Sequence, residues 1–215
     1  ALNEICPEGF AHFKQSVRVV DRLEKNGEGL NLTWEVRDGM LNHRTSGAPH
    51  TLEGQVVRLC DKISYIHHDM DDAQRAGIFQ EDDIPITIRV TLGDSCKERL
   101  NTLIHDTIRN SYGKDKVEMT QEIGEAMREL RALMFRSVYN NPVAKKEEEK
   151  AKTMLQEMYL YYSKHLEQMS GEYQKLIAEG ESKERVVCDY ISGMTDQYAM
   201  AKFKELFIPA AWAVY

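Results

Sequence analysis

The stretch Thr51–Gly77, TLEGQVVRLCDKISYIHHDMDDAQRAG, decides the fold class. Its apolar positions Val56, Val57, Leu59, Cys60, Ile63, Ile66 and Met70 recur at helical spacing, which predicts one long helix from Leu52 to Gly77. Pro49 precedes it, Thr51 offers a side-chain cap, Glu53 and Gly54 sit in its first turn, and Gly77 supplies a stop. On another face Asp61, Tyr65 and Asp69 follow one another at intervals of four, with Asp72 one turn on. Residues four apart are neighbours on a helix surface, so this face gathers carboxylates around a phenol. Such a face has two readings. It is solvated charge, with Arg58, Lys62 and Arg75 as weak ion-pair partners, or it is a ligand site. Spacing alone favours the first.

The composition sets the frame. The 215 residues, 42% of them apolar, can build one substantial core, and no Pro-rich or Gly/Ser-rich break divides them. A single domain over residues 1–215 is therefore expected. A formal charge of −7 argues against nucleic acid as a partner, so any phosphate ligand must be held by local lysine, arginine or metal charge. No apolar run reaches membrane-spanning length and no leader peptide is visible, so no membrane partner is expected. Cys6, Cys60, Cys96 and Cys188 form no closely spaced pair. Cys60 and Cys188 lie in apolar helical patterns and read as small core residues, and the expected compartment is the reducing cytoplasm.

Outward from the central stretch, the remaining segments also read as helices. The expected spans are 10–25, with Val17, Val19, Val20 and Leu23 inward, and 34–43, with Trp34, Val36, Met40 and Leu41 in the core. ITIRVTLG alternates like a strand, yet a short helix or irregular segment suits an otherwise helical chain. Further helices are expected from Ser95 or Asp94 to Ser111, over 119–139, and from the charged run KKEEEKAK at 145–152 onward. Asn140-Asn141-Pro142 separates the last two. A shorter helix covers 170–178, a final one runs from Ser182 to about Leu206, and the apolar end FIPAAWAVY is expected to dock on the body. The fold class is all-α, a single-domain helical bundle.

Three stretches resemble one family closely. The central stretch, EGFAHFKQSVRVVDRLE at 8–24 with GLNLTWEVRDGMLNH at 29–43, and RVVCDYISGMTDQYA at 185–199 are similar to segments of the HD-domain deoxynucleoside triphosphate triphosphohydrolases, the dGTPase-like family. The likeness covers essentially the whole chain and corresponds to the C-terminal two-thirds of such a protein. It implies the HD-domain superfamily fold and metal-assisted attack at the α-phosphorus, giving deoxynucleoside and tripolyphosphate. It implies Asp61 as a metal ligand and Lys62 and Tyr65 as triphosphate contacts. Asp69 would bond the sugar 3′-hydroxyl, and His12 would be a catalytic residue facing the phosphates. Arg185, Asp189, Tyr190 and Asp196 are substrate-binding candidates by the same resemblance, each with an interhelix bond as the plain alternative. The cofactor implied is a divalent metal, Mg²⁺, Mn²⁺ or similar, and homo-oligomers are expected. Phe13 departs from the family, whose members usually carry Asn there.

The family's first metal histidine, its HD pair and its catalytic His and Glu lie before the segment at EGFAHF. The metal ligands are thus expected to lie mostly outside this chain, as in a fragment, and the isolated chain is expected to be inactive. Two other readings stay open: a non-catalytic nucleotide-binding or oligomerisation module, and an HD phosphohydrolase acting on another nucleotide.

Overall fold

The computed structural model describes residues 1–210, and among them there are α-helices, short 3₁₀ and π-helical turns, and no strand. The α-helices are α1 (Leu2–Ile5), α2 (His12–Arg18), α3 (Trp34–Asn42), α4 (Leu52–Arg75), α5 (Ile86–Leu92), α6 (Cys96–Ser111), α7 (Gln121–Met134), α8 (Pro142–Lys164), α9 (Gly171–Ala178), α10 (Lys183–Ser192) and α11 (Asp196–Phe207). The fold class is all-α. The chain divides into two compact units, Ala1–Asn31 with Glu147–Tyr215, and Leu32–Lys146. Helix α8 carries the chain from the second to the first.

In the second unit α4 is the central element. Thr51 Oγ1 accepts a hydrogen bond from the Gly54 amide at 3.0 Å and starts the helix. At the other end Gly77 takes φ +69°, a conformation glycine enters without a Cβ penalty, and the Ile78 amide bonds back to the Ala73 carbonyl. Ile63, Ile66, Met70 and Ala73 face a core completed by Ile88 and Leu92 of α5, Leu103 of α6, and Leu130 and Met134 of α7. Arg99 lies within this unit at 0% exposure and is paired with Glu81.

The first unit has its own core. Met158 and Tyr162 of α8 pack with Val186, Val187 and Ile191 of α10 and with Leu2 and Cys6 at the start of the chain. Ser182 Oγ caps α10 by accepting from the Arg185 amide at 3.1 Å.

Several expectations are corrected. The span 10–25 is not one helix: α2 widens into a π-helical turn at Val19–Leu23 and ends in a left-handed turn at Lys25 and Asn26. The span 182–206 is two helices, because Thr195 Oγ1 accepts from the Tyr198 amide and starts α11 afresh after Gly193-Met194. The span 119–139 is α7 followed by a second π-helical turn, Phe135–Tyr139. Cys60 is exposed, whereas Cys188 is buried. Residues 211–215, most of the apolar end, lie outside the described residues.

The largest correction concerns α3. Trp34, at 56% exposure, Val36 and Leu41 are exposed, while Asp38 and Gly39 are buried. The cause is a close approach of α3 to α4. A Cβ built on Gly39 would stand 3.6 Å from the Gly54 Cα, and one on Gly54 would stand 2.7 Å from the Pro49 Cβ. Two glycines thus turn the inward face of α3 away from its large apolar side chains. Glycine-to-alanine inside a helix ordinarily helps, but here the methyl meets a rigid ring. Gly54→Ala is expected to lower stability by about 1–3 kcal/mol in urea unfolding.

Candidate functional site

The face of α4 that carries Asp61, Lys62, Tyr65 and Asp69 is the most developed polar constellation of the second unit. Asp61 and Tyr65 are exposed; Lys62 and Asp69 are half-buried. The Tyr139 hydroxyl, from the end of the second π-helical turn, donates to Asp69 Oδ2. The Tyr139 ring stacks on Tyr65 with centroids 6.1 Å apart and planes at 27°. Burial, and then the Asp69 and Tyr65 partners, push the Tyr139 phenol far above its ordinary range, so it stays a neutral donor. The other Asp69 oxygen accepts no hydrogen bond among the described residues.

One turn back along α4 the charge changes sign. A cavity of about 510 Å³ is lined by Arg58, Lys62, Lys116, Arg128 and Arg131. Burial holds the Lys62 ammonium below the usual lysine range; the nearby Arg58 and Arg131 charges add to this, and Asp61 opposes it. Among the described residues no carboxylate forms an ion pair with Lys62 or Arg131. Arg58 donates to the Arg44 and Thr45 carbonyls at 3.2 and 2.7 Å, and Arg75 pairs with Asp71 and Asp72 on another face. Glu118 also lines the cavity and pairs with Lys116, and Arg128 pairs with Glu125, so among the described residues Arg58, Lys62 and Arg131 are the lining cations without a carboxylate partner, an arrangement that attracts an anion.

Arg131, Phe135 and Tyr139 escaped the sequence reading. All three recur at intervals of four, on an edge of α7 and its π turn distinct from the apolar stripe of Met127, Leu130 and Met134. That spacing was the available signal. The sequence pairs a histidine with an aspartate at His105-Asp106 in α6, and there the carboxylate has a structural use: Asp106 accepts from the Thr120 amide and hydroxyl at 2.8 and 2.9 Å, ahead of α7.

The other candidates belong to the first unit. His12 is exposed at the first position of α2, its ring edge-on to Phe13 at 5.6 Å. Asp189 has 0% exposure, and its carboxylate accepts from Arg18 Nε at 2.9 Å, Arg18 Nη2 at 2.7 Å and Gln15 Nε2 at 2.8 Å. Arg185 donates to Gln15 Oε1 at 2.6 Å. Tyr190 is packed edge-on to Tyr162 and Tyr173 at 4.9 and 5.1 Å. Asp196 is exposed in the first turn of α11, where a carboxylate complements the helix dipole. In this unit Arg185 and Asp189 work as interhelix partners and Tyr190 as a packed aromatic.

The resemblance implies a divalent metal, which needs several converging protein ligands. Among the described residues no three His, Cys, Asp or Glu side chains converge, so Asp61 supplies one ligand at most. The residues described do not fit a complete metal site. Among them, too, no helix is long and apolar enough to cross a membrane.

Residues 117–205 match the family model described as a phosphohydrolase-associated domain. Three curated relatives are each named a deoxyguanosinetriphosphate triphosphohydrolase-like protein. That of Caldanaerobacter subterraneus subsp. tengcongensis is 49% identical over 98% of this chain and 62% of its own length. That of Clostridium perfringens is 44% identical over 97% of this chain and 63% of its own. That of Syntrophus aciditrophicus is 31% identical over 97% of this chain and 67% of its own. The chain thus spans roughly two thirds of the length of the relatives it matches.

Proposed function

Because the chain belongs to the deoxyguanosinetriphosphate triphosphohydrolase-like family, we propose that the α4 face and the cationic cavity beside it bind a deoxynucleoside triphosphate. The protein of which this face is part hydrolyses it at the α-phosphorus. Water adds to that phosphorus, the bond to the 5′-oxygen breaks, a proton from the water passes to that oxygen, and the products are deoxynucleoside and tripolyphosphate. The observation that carries the reading is the adjacency of two unlike subsites on one helix. Lys62, Arg58 and Arg131 offer positive charge, and about one turn on Tyr65, Tyr139 and Asp69 offer an aromatic wall and a carboxylate.

Each subsite suits one part of the ligand. Lysine acts on phosphate as a point charge and arginine as a bidentate fork, and together they neutralise the triphosphate oxygens while water adds at the α-phosphorus and the 5′-oxygen of the deoxynucleoside leaves. The open Asp69 oxygen accepts the sugar 3′-hydroxyl, and Tyr139 holds that carboxylate in place through its own hydroxyl. A buried polar contact of this kind rejects ligands that lack the matching hydroxyl. Asp61, exposed beside Lys62, is proposed as one ligand of a divalent ion whose other donors are not among the described residues.

Binding tests the reading directly. Inorganic tripolyphosphate and dGTP are titrated into the chain by calorimetry. Lys62→Ala and Arg131→Ala are each expected to weaken tripolyphosphate by about 10-fold or more. Arg75→Ala, on another face, leaves affinity unchanged. In any preparation that turns dGTP over, ³¹P NMR is expected to show tripolyphosphate. Pyrophosphate with a nucleoside monophosphate, or affinity indifferent to Lys62 and Arg131, would exclude the proposal.

A further inference from the structure

Phe135 is a large apolar side chain at 43% exposure, outside the core that Leu130 and Met134 enter. Its surroundings explain its place. The Arg131 guanidinium carbon lies 5.1 Å from the Phe135 ring centroid, a cation–π contact. On its other side the Phe135 ring meets the Tyr139 ring at 4.8 Å and 68°, an edge-to-face contact. Tyr139 in turn stacks on Tyr65 and bonds Asp69. Arg131, Phe135 and Tyr139 therefore stand in a row, and Phe135 is the member that touches both others. The row runs along the end of α7 and the π-helical turn that begins at Phe135, where residues four apart are neighbours on the helix surface.

We propose that Phe135 is a positioning residue that sets the Arg131 guanidinium and the Tyr139 phenol in one arrangement, so that phosphate and sugar recognition are coupled. The proposal rests on the nucleotide reading above. Arginine at a cavity wall otherwise has many rotamers, and each must be given up when phosphate binds. A ring that holds the guanidinium beforehand removes part of that loss. The same ring fixes the angle at which Tyr139 meets Asp69.

Two variants and two probes test it. Phe135→Leu removes the ring and keeps apolar bulk; Phe135→Tyr keeps the ring. Inorganic tripolyphosphate probes the phosphate end and deoxyguanosine the sugar end. Phe135→Leu is expected to weaken both probes by about 3- to 5-fold, and Phe135→Tyr to restore wild-type affinity. Without any ligand, the Arg131 Nε–Hε resonance is expected to lose its ring-current shift in Phe135→Leu and keep it in Phe135→Tyr. Weakening of one probe alone overturns the coupling. An unmoved Arg131 resonance with unchanged tripolyphosphate affinity overturns the positioning role while the nucleotide reading stands. A wild-type chain that binds neither probe overturns both.

Discussion

Asp189→Ala is expected to cost the first unit about 3–5 kcal/mol, because it strands buried positive charge. Asp189 is fully buried and accepts from both Arg18 and Gln15. Without it, Arg18 keeps only Glu181, at 3.1 Å, and the Arg185 side chain loses the carboxylate that stands 3.6 Å from its Nε. An exposed pair such as Arg75 with Asp71 gives the contrast, since solvent screens it and breaking it changes stability little. Amide hydrogen exchange in α2 and α10 reads the difference. A loss as small as that of Arg75→Ala would mean that solvent reaches Arg18 more freely than its geometry implies.

Glu81→Gln is the counterpart in the second unit and carries a pH signature. Burial alone would raise the Glu81 carboxyl, but the hydrogen bond and charge of Arg99 outweigh it and hold the group below the usual carboxylate range. A depressed folded-state value means that the unfolded chain takes up the proton first. The stability that Glu81 contributes is therefore complete above the ordinary glutamate value of about 4.3 and is lost as pH falls below it. Because Glu81 is about one-third exposed, its removal is expected to cost about 3 kcal/mol at pH 7, the lower end for a buried cation left alone. Denaturation at pH 7 and at pH 3 checks the sign: the gap between wild type and Glu81→Gln narrows at pH 3. A gap that widened there would show that Arg99 is held by something other than the Glu81 carboxylate.

What could be read from the residues alone was local. The cap at Thr51, the stop at Gly77 and the row Asp61, Tyr65, Asp69 depend on neighbours within a few positions, and spacing exposes them. Tyr139 is 70 residues from Asp69, and no periodicity in either helix announces their hydrogen bond. Arg131 joins Lys62 in the same way, across the packing of α7 on α4. The orientation of α3 is hidden from the sequence for a different reason. Apolar side chains normally mark the inward face, yet two glycines in contact buried the opposite one. The break before α11 was hidden because the apolar pattern runs on through Met194, while a single threonine hydroxyl restarts the helix. Asp189 shows the limit of resemblance, since likeness marked the position and only the surrounding donors tell what its carboxylate does.

The widened turn at Phe135–Tyr139 makes chain length itself part of the site. An α-helix advances about 100° per residue, and a π turn holds roughly one residue more than the turn it replaces. Losing or gaining one residue between Phe135 and Tyr139 would rotate the tyrosine by that angle, away from Tyr65 and Asp69, with every side chain of the site still present. In this segment, then, spacing matters beside residue identity: a substitution alters one contact, whereas a single-codon insertion or deletion dismantles the platform at once.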